Sequence, residues 1–175
     1  HTQILAAVAA ALAPIAILQG ALFQYVSFDM LWWVTVAYFV LRLVNSDDPR
    51  WWLAIGAGVG IGMQTKYTMA FLAVGVVAGV LFTRTRRHLS SPWLWAGVAV
   101  SLAIFAPNLI WQIRNDFVSL DFLQAIHARD VRIGRTDGFL LEQLFVCVTP
   151  AAIALWAPGL VALAVSKRFE RYRIL

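Results

Sequence analysis

A single charged residue, Lys66, interrupts residues 51–82, which are otherwise apolar, glycine or neutral polar. One straight helix of that length would run roughly 48 Å, too long for a hydrocarbon core of about 30 Å. It would also hold an ammonium deep in lipid, at a cost of about 3 kcal/mol or more. Two helices of about 16 residues each, tilted or set in locally thinned bilayer, place Gln64, Thr65, Lys66 and Tyr67 at a membrane surface between them. The two-helix reading is adopted. A cation so placed is a functional-site candidate by default. The plainer alternative is that Lys66 snorkels to the interface beside Tyr67 and marks a helix end.

The rest of the chain supports a membrane protein. It is 61% hydrophobic, only 13% charged, and carries eight Trp in 175 residues, a composition that excludes an ordinary soluble domain. The net charge of +5 does not signal nucleic acid, because the cations are spread among loops rather than gathered on one face. The single cysteine, Cys147, excludes an internal disulfide and any cysteine-based metal site. No HExxH, Cys/His cluster, GxSxG or P-loop occurs. The chain opens on His-Thr-Gln without a charged leader, so it is expected to be an internal segment of a longer protein.

The expected fold is all-α, a polytopic transmembrane bundle of about six spans. The spans fall at residues 4–23, with Pro14 as a kink, and 29–44. The pair around Lys66 follows, then 92–111, opened by Pro92 in its first turn, and 139–165, interrupted by Pro150 and Pro158. Residues 45–50 make a polar turn, 83–91 a basic loop, and 167–173 a basic tail. If 83–91 is cytoplasmic, alternation leaves Lys66, Arg114, Arg129, Arg132 and Arg135 outside and the other nine of the fourteen Lys and Arg inside. The positive-inside rule favours that orientation. Asp29, Lys66 and the polar stretch 112–138 then share the outer face.

Each feature has two readings. Asp29, or Ser27, can cap the helix it opens; capping and function stand at even weight. Gly56, Gly58, Gly60 and Gly62 form two small-xxx-small pairs, a signal for close helix packing and not a dinucleotide fingerprint, since no strand precedes them. In 112–138, Pro107 and Asn108 are expected to break or bend the helix just before Trp111, Arg114, Asn115 and Asp116. Phe122, Ala125 and Ile126 set an apolar stripe, followed by His127, Arg129, Asp130, Arg132 and Arg135. The stretch reads as an interfacial amphipathic helix, or as an anion site, because guanidinium groups suit phosphate.

Three strings occur in order: Ser-Phe-Asp-Met at 27–30, Gly-Ile-Gly-Met-Gln-Thr-Lys-Tyr at 60–67, and Ala-Pro-Asn-Leu-Ile-Trp-Gln-Ile-Arg-Asn-Asp-Phe at 106–117. Together they resemble the polytopic glycosyltransferases of the dolichyl-phosphate-mannose protein mannosyltransferase type, GT-C enzymes whose bacterial relatives include the aminoarabinose transferases of lipid A. The resemblance covers residues 4–165. It implies transfer of a hexose or pentose from a polyprenyl-phosphate-linked donor to a glycan, lipid or protein acceptor outside the cytoplasm, in a bacterial inner membrane. It further implies that residues 1–175 are part of one transmembrane transferase domain, with the first span and first outer loop, and the main catalytic base, lying before them.

Within the resemblance, Asp29 takes a supporting catalytic role. Lys66, His127, Arg129 and Arg132 bind the donor phosphate, while Tyr67, Trp111, Arg114 and Asn115 line the substrate site. No cofactor is assigned and no metal ligand is named; a divalent metal stays open, because relatives differ in needing one. Membrane lipid is the expected surrounding partner, and nucleic acid is not. Two other classes compete. A transporter segment would use Lys66 and Asp29 for an ion or anion, but such sites sit near the bilayer midplane in repeated halves, and no repeat is visible. A non-catalytic membrane subunit would use the basic tail as a docking surface.

Overall fold

In a computed structural model, the described residues are 24–135, 137–138, 150–172 and 174, with isolated positions 4, 8, 11, 17, 20, 21 and 141. These residues are helical, with no strand among them. The helices are α1 (Tyr25–Ser46), α2 (Trp51–Thr65), α3 (Met69–Phe82), α4 (Pro92–Arg114), α5 (Val118–Arg132) and α6 (Pro150–Val165). Tight 3-10 segments occupy Arg84–Ser90, in the expected basic loop, and Lys167–Tyr172, in the basic tail. The expected span at 4–23, Cys147 and the first part of 139–165 lie largely outside the described residues.

Helices α1 and α4, of 22 and 23 residues, are long and apolar enough to cross a membrane. The break at Lys66 forms as expected, between helices of 15 and 14 residues. One expectation fails at Pro107. Helix α4 continues through it to Arg114. Pro107 leaves the Ala103 carbonyl without its usual N–H, and Gln64 Nε2 donates to the next carbonyl, that of Ile104, at 2.6 Å. A neighbouring helix thus supplies a donor where the proline loosens the ladder, as membrane helices commonly arrange.

Contacts divide the chain into two units: His1–Phe23 with Leu109–Gly159, and Gln24–Asn108 with Leu160–Leu175. In the second unit, α1 ends at Asp47, whose left-handed backbone (φ 55°) lets its N–H reach the Leu43 carbonyl. Short polar side chains tolerate that conformation best after glycine. Asp48 then accepts a bond from the Arg50 N–H at 2.9 Å, turning the chain into α2. Val36, Val40 and Leu43 recur at helical spacing along α1 and are fully buried with Met69. Trp52, Ile55, Val76, Val80, Leu94 and Ile174 complete the core.

The glycines set the helix spacing, as their pattern implied. A Cβ on Gly56 would lie 2.6 Å from the Gly97 carbonyl carbon, and one on Gly60 2.9 Å from the Ser101 carbonyl oxygen, so one face of α2 meets the α4 backbone. A Cβ on Gly58 would lie 2.8 Å from Val36 Cγ2, and Gly62 faces the Met69 side chain. The outward faces remain apolar: Phe71, Val74, Val77 and Phe82 of α3 are all more than half exposed. Such a surface suits lipid.

Candidate functional site

The site grows from the break between α2 and α3. Lys66 closes α2 in an extended conformation, and its N–H bonds to the Gly62 carbonyl at 2.9 Å. Thr68 stands at the N-cap of α3 yet makes no side-chain capping bond. Its hydroxyl instead donates to Asp29 Oδ2 at 3.0 Å. The same carboxylate oxygen lies 4.0 Å from Lys66 Nζ.

Asp29 is therefore not a helix cap. Helix α1 begins four residues earlier than expected, at Tyr25, with Gln24 before it and no side-chain capping bond. That extension puts Asp29 and Ser27 inside the helix and turns Asp29 toward α3. The carboxyl group is buried, at 8% exposure, and its Oδ1 has no hydrogen-bond partner among the described residues. A buried carboxylate needs donors or a counter-charge; Thr68 and Lys66 supply them on one side only.

Lys66 has a mixed environment. Its side chain is 36% exposed, and its ammonium lies 5.8 Å from the Tyr25 ring centroid, within cation–π range. The ion pair with Asp29 is long and half open to solvent, so it adds little stability. What the geometry provides is a positioned cation with donors to spare. Next to it, Tyr67 Oη donates to Asn108 Oδ1 at 3.1 Å, and its ring meets Phe105 edge-on. Sequence reasoning missed Thr68, Tyr25 and the role of Asn108. A threonine before a helix reads as a cap and an asparagine after proline as a breaker, so neither carries a long-range signal.

The remaining candidates belong to the first unit. Trp111 and Arg114 are exposed on the last turn of α4, and Asn115 Nδ2 turns back to the Trp111 carbonyl at 2.7 Å. Asp116 and Phe117 both adopt left-handed backbone (φ 52° and 54°). Gln112, buried, receives the Ser119 N–H on its Oε1 at 3.4 Å and donates to the Ser119 hydroxyl, so it ties this turn to the start of α5. Helix α5 forms where the amphipathic stripe was read, with no buried residue. His127 and Arg129, two positions apart, point to opposite sides of it. Arg129 is engaged by Asp130 through Nε and Nη2 at 3.0 and 2.8 Å. Arg129 and Arg132 share a face.

The opposite end of the second unit gathers a different set. Arg87 pairs with Asp47, and His88 Nε2 lies 3.6 Å from the same carboxylate. Burial of His88, and then the adjacent Arg87, lower its pKa from the ordinary 6.5, against the pull of Asp47. Tyr172 donates to Asn45 at 3.1 Å. The turn at 45–50 and the segment at 84–90 therefore share one end of the unit, and Asp29 and Lys66 the other, as alternating spans require. Among the described residues no three His, Cys, Asp or Glu side chains come together, so no step is derived through a metal.

A sequence model of the dolichyl-phosphate-mannose-protein mannosyltransferase family matches residues 1–111. The chain belongs to that family. The match contains Asp29, Lys66, Tyr67, Asn108 and Trp111; Arg114, Asn115, His127, Arg129 and Arg132 fall beyond it. Two relatives come from Rhizobium johnstonii. The lipopolysaccharide core galacturonosyltransferase RgtA is 28% identical over 124 residues, 66% of this chain and 25% of the relative. The lipopolysaccharide core galacturonosyltransferase RgtB is 28% identical over 130 residues, 73% of this chain and 25% of the relative. The chain thus spans about a quarter of the length of these relatives. No solved structure matches it.

Proposed function

We propose that the protein is a membrane glycosyltransferase that moves a sugar from a polyprenyl-phosphate donor to an envelope glycolipid or glycan on the extracytoplasmic face of a bacterial inner membrane. One observation carries this reading. A half-exposed lysine stands at the break between two short apolar helices, beside a buried carboxylate, inside the residues matched by the family. A lipid phosphate leaving group needs a cation where membrane and water meet, and its apolar tail need not leave the bilayer.

The chemistry follows from those groups. The bond between the anomeric carbon and the phosphate oxygen breaks, and its electron pair goes to the phosphate. Lys66 stabilises the charge that grows there, the kind of interaction that strengthens in the transition state. The acceptor hydroxyl oxygen forms the new bond and gives its proton to a base. Asp29 is a positioning residue, because Thr68 and Lys66 already engage one of its oxygens and it is buried. The base is therefore assigned to a carboxylate outside this cluster. Arg129 and Arg132, on one face of α5, are the further cations proposed for the donor phosphate; His127 faces away from them.

The test is single-turnover transfer by the intact protein. Lys66→Gln should slow transfer by about a hundredfold or more, the usual effect of removing one donor to a developing anion. Lys66→Arg should retain part of the activity, since it keeps charge but changes donor geometry. A lysine that only snorkels tolerates glutamine. Near-wild-type rates for Lys66→Gln with normal expression would refute the phosphate role.

A further inference from the structure

An apolar groove of about 430 Å³ runs between α2, α3 and α4, lined by Trp52, Val59, Val76, Val80, Trp95 and Val98 among others, with Ser101 as its one hydroxyl side chain. That volume is in the range of pockets that take small apolar ligands, about 300–1,000 Å³. Its lining draws on the first half of α2, the second half of α3 and the first half of α4. It therefore lies toward the Asp47–Arg87 end, away from Lys66, and the proposed transfer chemistry leaves it unused.

The charges at that end select an occupant. Leu89 lines the groove and anchors its rim by accepting a bond from Trp95 Nε1 at 2.9 Å. In the 3-10 segment Arg84–Ser90, positions three apart eclipse, so exposed Arg86 stands over Leu89. Across the rim, the Arg50 guanidinium lies 5.9 Å from the centroid of Trp93, the neighbour of the lining residue Leu94. Arg87 is committed to Asp47. Arg50 and Arg86 form no ion pair among the described residues. Two uncommitted guanidinium groups over the end of an apolar groove match an anionic headgroup on an apolar chain.

We infer that this groove is a binding site for an anionic glycerophospholipid, with an acyl chain between α2, α3 and α4 and the phosphate at Arg50 and Arg86. The site rests on the membrane character of the chain and is independent of the transfer reaction. It is tested on the intact protein in non-ionic detergent by native mass spectrometry, titrating phosphatidylglycerol against phosphatidylcholine of the same acyl chains. Phosphatidylglycerol should be retained preferentially. Arg86→Gln and Arg50→Gln should each weaken it on the order of fivefold, as expected for one arginine at an anionic surface, and leave phosphatidylcholine unchanged. Val98→Trp, which fills the groove, should weaken both lipids. Lys167→Gln, an exposed cation on the tail, should change neither.

Equal retention of the two lipids would overturn the inference, as would a Lys167→Gln effect matching that of Arg86→Gln. Retention of neither lipid, the result if another helix of the intact protein fills the groove, would overturn it too. The arginine variants sit at exposed positions, so they keep the test decisive if Val98→Trp fails to fold. Transfer activity is not the readout, so this inference and the Lys66 proposal fail separately.

Discussion

Gly56→Ala is the sharpest test of the packing that holds the site. The added methyl would lie 2.6 Å from the Gly97 carbonyl carbon and 2.8 Å from its Cα. Carbon atoms pack at about 3.5–4.0 Å, so α2 and α4 must part by roughly 1 Å at the crossing. The obstacle is backbone, which cannot rotate away, and the contact is reciprocal, because a methyl on Gly97 would lie 2.8 Å from the Trp52 carbonyl carbon. Overpacking of this kind costs about 1–3 kcal/mol, here toward the upper end. Alanine recovers up to about 1 kcal/mol of helix propensity. The expected net loss is about 1–2 kcal/mol.

Gly75 supplies the control, since nothing lies within 4 Å of its added methyl. Gly75→Ala should therefore be neutral or stabilising by about 0.5–1 kcal/mol. Gly62→Ala should fall between them, because it meets a flexible methionine side chain. Equilibrium unfolding in mixed micelles measures all three. If Gly56→Ala is as stable as Gly75→Ala, the backbone contact between α2 and α4 does not exist and the glycine argument fails.

Two further predictions concern the other end of the unit. His88 resists protonation when folded, whereas the unfolded chain takes up the proton as pH falls through about 6.5. The folded state is then disfavoured from about pH 6.5 downward until the folded imidazole also titrates. His88→Gln should flatten this part of the stability profile between about pH 7.5 and 5.5; an unchanged slope would show that His88 is not the titrating group. In a Cys147→Ser background, Ser90→Cys should be shielded from impermeant maleimide in intact cells while Asp137→Cys reacts. The reverse pattern would put Lys66 on the cytoplasmic face and end the extracytoplasmic proposal.

The parts legible in the sequence were those written in local contrast. One cation in 32 apolar positions forces a break, because no straight helix can bury it cheaply, and the break forms at Lys66. Glycines at spacing four announce a close helix contact, although which helix fills it depends on Gly97, some 40 residues away. Asp29 was illegible for the same reason. Serine and aspartate near a helix start read as caps, but partners 37 and 39 positions on, Lys66 and Thr68, draw the carboxylate sideways. Pro107 likewise reads as a breaker by local rules, and helix α4 passes it with a neighbouring donor at the loosened turn.

These departures share one location. Asp29 fails as a cap, Thr68 fails as a cap, and Pro107 fails as a breaker, all at the Lys66 end of the second unit. Local preference gives way there to polar contacts between α1, the 66–68 link and α4. Elsewhere in the unit the local rules hold: Asp47 ends a helix in left-handed backbone, Asp48 turns the chain, and Val36, Val40 and Leu43 keep helical spacing in the core. Sequences tend to break their own local rules where function is placed. A Thr68 that had only to cap α3 would satisfy its own helix first. Its hydroxyl instead holds a buried carboxylate whose second oxygen has no partner among the described residues, beside a lysine with donors to spare. That arrangement leaves both charges incompletely satisfied, which costs stability in a resting protein and is what a site awaiting a polar substrate requires.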